Sequence, residues 1–275
     1  MQKTIIQPQK GWHSIDWKEL ISYKDLLYFL VLRDIKAIYK QTILGFGWAL
    51  IRPFASMVIF TIIFGKFAGL EQTLEGGTPY AVFAYVALIP WTYFSASLSS
   101  ASSSLIGGAG IFSKVYFPRI IIPLTPVIAK LVDFGISFLL LFVMMIYYGI
   151  VPNINIIFLP ILIIIMILTS MGVGMWLSAL AIQYRDVQQL MGFLIQLLMY
   201  LTPIIWPFTF IPEKYRLLYG LYPMAGVIEG FRSALIGKTE MPWDMIGLGF
   251  IISLFLFFTG SMYFKFKERI FVDVA

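Results

Sequence analysis

The chain has 275 residues, of which 60% are hydrophobic and only 12% charged. A soluble globular domain carries about 25% charged residues, and a surface this poor in charge would not stay dispersed in water, so lipid is the expected solvent. The net charge of +6 lies mostly between apolar runs and reads as topology and headgroup determinants rather than a nucleic-acid patch, while the absence of cysteine excludes disulfides, thiolate nucleophiles and Cys-ligated metals.

Residues 1–22 contain no apolar core of signal-peptide type, so no cleavable signal is expected. The single histidine, His13, has no cluster of further ligands and reads as a solvated side chain, so no metal site is expected. In residues 23–42, Leu27, Leu30, Val31, Ile35 and Ile38 fall near helical spacing, with Arg33, Asp34, Lys36 and Lys40 among them. This predicts an amphipathic helix lying in the membrane interface. Gly45 and Gly47 predict a bend after it.

Apolar runs follow at residues 43–65, 80–98, 120–149, 156–182, 187–206 and 246–264. Each is long enough to cross a hydrocarbon core of roughly 30 Å as a helix rising 1.5 Å per residue. None alternates as a barrel strand would, and backbone groups in lipid must pair within the segment. The expected fold is an all-α polytopic membrane protein with about six transmembrane helices. The whole chain, 1–275, reads as one transmembrane domain. Residues 1–42 form an interfacial N-terminal segment, 43–265 the membrane region and 266–275 a tail.

Basic residues set the orientation. Lys3, Lys10, Lys18, Lys24, Arg33, Lys36, Lys40, Lys114, Arg119, Arg185, Lys265, Lys267 and Arg269 fall on one side. The other side has Lys66, Lys214, Arg216, Arg232 and Lys238. The positive-inside rule then puts both termini in the cytoplasm. Two connections stand out. After the second run, a small polar stretch gives way to IFSKVYFPR at 111–119, and a short cytoplasmic helix over about 105–116 is expected to present Phe112, Lys114 and Tyr116 as a docking knob. Residues 207–244 are too apolar for a free loop and predict two short half-inserted outer helices, broken near Tyr222-Pro223 and lining or capping a pathway.

Catalytic machinery is not found. The nearest approach to a phosphate loop, GGAGIFSKV at 107–115, lacks the Gly-Lys-Ser/Thr order that cradles phosphates, so any ATP must bind another chain. Lys130 and Asp133 stand three apart in the third run and are expected to neutralise each other. Asp186 neighbours Arg185, and Glu229 shares a helix face with Arg232. Arg52 has no local partner, and two readings stand: snorkelling to the boundary, or meeting an anionic headgroup. Trp48, Trp91, Tyr93, Tyr200, Trp206 and Phe208 could stack on sugar rings, although anchoring at the interface is the commoner role of such residues.

Four local patterns, taken together, carry a resemblance. They are LRDIKAIYKQTILGFGWALIRP at 32–53, SKVYFPRIIIPL at 113–124, YRDVQQL with TPIIWP within 184–207, and FKFKERIFVDVA from Phe264 onward. With the run count they cover nearly the whole chain in order. The sequence resembles the membrane subunits of ABC-2 type polysaccharide exporters, most of all those that export lipid-linked O-antigen. Capsule and teichoic-acid exporters are similar in layout. Arg52 before Pro53 and Tyr222-Pro223 in place of Asn-Pro are departures from the pattern.

The resemblance implies a non-enzymatic transport subunit of the bacterial inner membrane. Such a subunit forms a homodimer with two ABC ATPase subunits, and ATP and Mg are bound on those partners, with no cofactor on this chain. Its substrate is a polysaccharide on a polyprenyl diphosphate lipid, and it binds no nucleic acid. It further implies ATPase coupling through Phe112, Lys114, Tyr116, Phe117 and Arg119, with Arg33, Asp34, Arg185 and Asp186 beside them. Spans one and five would face across the dimer, with Trp48, Arg52, Tyr200, Trp206 and Phe208 along the path. An outer gate would include Tyr215, Tyr222, Glu229 and Arg232. Rival classes are a small-lipid or drug pump, a membrane-embedded glycan polymerase or ligase, and an ion-coupled carrier.

Overall fold

The computed structural model describes residues 17–40, 44–112, 117–184 and 186–268. Among them every regular element is helical. A short helix α1 (Trp17–Ser22) leads into α2 (Lys24–Lys40), which has no buried residue. Leu26, Leu27 and Leu30 of α2 rest on a small core formed by Phe117, Ile120, Ile121, Ile122 and Leu124, while Lys24, Lys36 and Lys40 stay exposed. The amphipathic reading of this segment therefore holds. Gly45, at φ +48°, makes the bend before α3 (Gly47–Phe60), a conformation that an L side chain rarely adopts.

Helix α3 carries Pro53 and widens into a π-helical turn over Thr61–Phe67. Helix α4 (Tyr80–Phe112) is the axis of the fold, with 83% of its apolar window buried against 11% for the α3 span. Helices α3, α6, α7 and α10 pack around it. Helices α5 (Ile121–Ala129) and α6 (Leu131–Tyr148) form one span with a break at Lys130, and α6 ends on Gly149 at φ +67°. Asn153 caps the next turn by accepting the Ile154 N–H at 2.6 Å, and α7 (Leu159–Gln183) follows.

Helices α7 and α11 (Trp243–Lys267) make the closest crossing. A Cβ on Gly172 would stand 2.5 Å from the Leu256 carbonyl carbon, and one on Gly260 would collide with the Gly172 carbonyl oxygen. In lipid, tails are as apolar as the side chains, so close backbone approach and dispersion replace water exclusion as the force joining helices. Trp176 stacks on Tyr263 at 4.2 Å on one flank of this crossing.

Five helical segments are long and apolar enough to cross a bilayer among the described residues: Gly47–Phe67, Tyr80–Gly107, Ile121–Tyr148, Ile154–Gln183 and Trp243–Lys267. The run at 187–206 differs from expectation. It forms α8 (Asp186–Leu201), whose 16 residues reach only about 24 Å, followed by a compact turn. Pro203 is the physical reason, since it supplies no N–H and disfavours helix for the residue before it.

The expected separate helix at 105–116 is also corrected. Helix α4 continues without a break through the serine-rich stretch to Phe112, 33 residues and about 50 Å in all. Ser102 and Ser104 return their hydroxyls to the Ser99 and Ala101 carbonyls at 2.8 and 2.7 Å, so polar side chains are satisfied within the helix instead of ending it. The two short helices expected before the last span are present, α9 (Glu213–Tyr219) and α10 (Pro223–Leu235), separated at 220–222. Every residue of α10 is buried.

Candidate functional site

The candidate residues gather at the two ends of the bundle and on two exposed helices. At the end of the bundle that carries α2, Arg33 and Asp34 pair with each other at 2.8 Å. They line a cleft of about 380 Å³ between α2, α4 and α5, together with Lys130, Phe117 and Ser103. Lys130 holds Asp133 at 3.0 Å, the i,i+3 pairing that the spacing predicts.

Arg119 lies in the turn before α5 and reaches the end of α11, where its Nη1 donates to the Glu268 carbonyl at 2.7 Å and its Nε stands 4.0 Å from the Glu268 carboxylate. Burial raises the Glu268 carboxyl above the ordinary range, and the Arg119 guanidinium opposes that rise. Phe117 is 4% exposed and belongs to the small core beneath α2, so its ring does not form a solvent-facing tip. Asp186 opens α8 in its first turn, where a carboxylate favours the helix dipole. Lys114, Tyr116 and Arg185 lie outside the described residues, and of Phe112 only the backbone, at the end of α4, is described.

Helices α3 and α8 each pack on α4 and bury little of their own surface. Trp48, Ile51, Phe54 and Ile59 point outward from α3, and Phe193, Leu197 and Tyr200 from α8. Arg52 and Trp48 come together: the guanidinium carbon is 5.7 Å from the indole centroid. At an exposed site such a contact contributes about 0.5–1 kcal/mol. Trp91 and Tyr93, by contrast, are buried in α4, where the Tyr93 hydroxyl donates to the Val127 carbonyl at 3.0 Å, and they are core residues.

Trp206 and Phe208 do not join Trp48 and Arg52, which stand in the first two turns of α3, whereas Tyr200 closes α8 next to the turn that leads to Trp206. Trp206 and Phe208 lie at the opposite end of the bundle from α2, around Tyr219, at 6.0 and 6.2 Å between ring centroids. Close by is the most heavily buried charge in the described structure. Arg232 and Glu229 of α10 are paired at 2.5 Å with side chains only 3% and 8% exposed. Arg232 also donates to the Ile204 carbonyl at 3.0 Å and sits 3.6 Å above the ring of Phe83. Tyr80 of α4 donates to the Ile205 carbonyl at 2.6 Å, and Tyr222 stands 3.4 Å from the Thr202 hydroxyl. The turn after α8 is thus held from both sides, by α4 and by α10.

Of the four expected gate residues, Tyr222, Glu229 and Arg232 converge on this turn. Tyr215 stands apart on α9, half exposed, with Lys214 4.7 Å from its ring centroid. A cleft of about 900 Å³ opens beside the buried pair, between the 73–78 turns, the 207–217 segment and the 236–242 loop with the first turn of α11. Lys238, Glu240, Trp243 and Asp244 line it and were not singled out from the sequence. The polar GKTE stretch between two apolar elements was the available signal, and it reads equally as an ordinary loop.

The sequence model of the ABC-2 type transporter family matches residues 25–236, from the start of α2 to just past α10. The O-antigen export system permease protein RfbA of Myxococcus xanthus is 26% identical over 260 residues, covering 93% of this chain and 97% of that protein. A protein of the same description from Klebsiella pneumoniae is 28% identical over 260 residues, covering 93% and 98%. The polysialic acid transport protein KpsM of Escherichia coli is 24% identical over 212 residues, covering 75% and 80%.

Proposed function

The chain belongs to the ABC-2 type transporter family, and on that premise we propose that it is the permease of an ATP-driven exporter of lipid-linked polysaccharide, of the O-antigen kind. The single observation that carries the substrate class is similarity along almost the whole length to permeases named for O-antigen export. The weaker similarity to a polysialic acid transporter supports a capsule polymer as the second reading.

In this reading the chain is a multi-pass protein of the bacterial cytoplasmic membrane with both termini in the cytoplasm. It pairs with a second copy through the exposed faces of α3 and α8, and two ATPase subunits bind below. The chain itself performs no chemistry. A diphosphate headgroup and a hydrophilic glycan resist hydrocarbon strongly, so they need a protein path. Trp48, Arg52 and Tyr200 would lie along it. An aromatic-lined path lets a repetitive polymer slide, because no single unit is held tightly.

Energy from ATP must reach the outer end by helix movement. Helix α4 is suited to this, since one unbroken rod runs from Phe112 at the inner end to Tyr80 and Phe83 beside the Arg232 pair. A push at the ATPase contact then acts on the turn that closes the outer end. Deleting the chain should abolish the surface polymer. A tagged copy in mild detergent should bring down a nucleotide-binding subunit with vanadate-sensitive ATPase activity. Purification alone in several detergents, with no ATPase, would contradict the proposal.

A further inference from the structure

We infer that the outer cleft is a saccharide-binding subsite, which holds a short uncharged stretch of polymer as it leaves the chain. The inference deepens the export reading above and rests on it. The cleft's volume of about 900 Å³ lies within the range of pockets that enclose multi-ring ligands.

Its chemistry matches a polyhydroxylated molecule. Glu240 and Asp244 are exposed carboxylates with no ion pair or hydrogen bond to another described residue, so both are available as acceptors for sugar hydroxyls. Lys238 adds a donor from the same loop. Trp243, 49% exposed and held at 90° by Phe158 at 4.7 Å, supplies the apolar plate on which the C–H face of a sugar ring packs. In the wall, Arg232 keeps its Nε without a hydrogen-bond partner although the residue is 3% exposed. That donor is covered by protein, so it belongs to the packed wall of the cleft.

Charge decides the kind of saccharide. Arg232 is neutralised by Glu229, and Arg216 has Glu213 at 3.7 Å. What remains is Lys238 against Glu240 and Asp244, an excess of negative charge. Repulsion in a partly enclosed cleft disfavours an acidic glycan and leaves an uncharged one preferred.

The test uses the full chain in cells that are exporting polymer. A photoreactive p-benzoylphenylalanine is placed at Glu240, with a second version at the lipid-facing Ile251 of α11 as control. Irradiation is expected to give a carbohydrate-staining adduct about tenfold stronger at 240 than at 251. In the 240 background, Trp243→Ala should lower that adduct about tenfold, while Trp243→Phe retains it. Continued export with no carbohydrate adduct at 240 overturns the subsite and leaves the export reading standing. An adduct rich in uronic or sialic acids overturns the assignment to an uncharged stretch. If deletion of the chain leaves the surface polymer intact, the export reading and the subsite fall together.

Discussion

Arg232 stands over Phe83 with its guanidinium carbon 3.6 Å from the ring centroid, joining the buried short helix α10 to the long central helix α4. With Glu229 on the same helix and the Ile204 carbonyl beyond, the arginine meets an anion, a π-face and a backbone acceptor. A charge this deeply covered is tolerated only when it is so supplied.

Removing one partner leaves the other charge buried alone. Glu229→Ala or Arg232→Ala should therefore cost about 3–5 kcal/mol. Glu229→Gln combined with Arg232→Met should recover most of that loss. Melting of detergent-purified protein, followed by fluorescence-detected gel filtration, measures all three. Equal melting of the singles and the double would remove the pair from the stability account.

The α7–α11 crossing has no room for a methyl group. Gly172→Ala should destabilise by about 1–3 kcal/mol through overpacking. Gly247→Ala, in the same helix as Gly260 but with no atom within 4 Å of the added carbon, should be neutral. The same melting assay separates them.

Helix α4 transmits movement only while it is unbroken. Ala in place of Ser102, Ser103 and Ser104 together should preserve export, since alanine favours helix and those hydroxyls serve chiefly the helix's own carbonyls. The helix already runs through Pro90; a second proline, Ser103→Pro, should cost about 3 kcal/mol locally and weaken the coupling of the ends, leaving ATPase activity in the assembly while surface polymer falls. Export by the proline variant at the native rate would remove α4 from the transmission path.

Arg119→Ala should release the α4–α5 connection from the end of α11, lowering the copurifying ATPase several-fold with insertion intact. Glu268→Ala should have a smaller effect, because the shorter contact is to the Glu268 backbone carbonyl, which the substitution leaves in place. Western blotting of membrane fractions and the ATPase-to-permease ratio in pull-downs provide the readout. Equal ratios for wild type and Arg119→Ala would assign the arginine a purely internal role.

Local patterns in the sequence were informative where the physics is local. Composition gives the solvent, helical spacing gives α2, and the i,i+3 spacings give both Lys130–Asp133 and Glu229–Arg232. Proline gives the break before α10, but the weight of Pro203 against the apolar run around it was not legible, and α8 is shorter than hydropathy implies. The continuity of α4 was hidden for a different reason. Serine scores as a breaker, and its tolerance here is helped by hydroxyl-to-carbonyl bonds that exist only once the helix has formed. Partners far apart in the chain were out of reach altogether. Arg119 and Glu268 are 149 positions apart, and the cleft is built from three separate connections.

The complete enclosure of α10 dictates an order of assembly. Its 13 residues, about 20 Å of helix, cannot cross a bilayer unaided, so the insertion machinery has no span to release sideways there. The neighbours that enclose it are α4 and α7, made earlier, and α11, made later. While the ribosome has not yet finished α11, α10 lacks one wall of its seat, and its buried pair of charges has no finished shelter. The seat of α10 is therefore closed only once α11 has been made, and a chain stalled before α11 leaves this segment exposed.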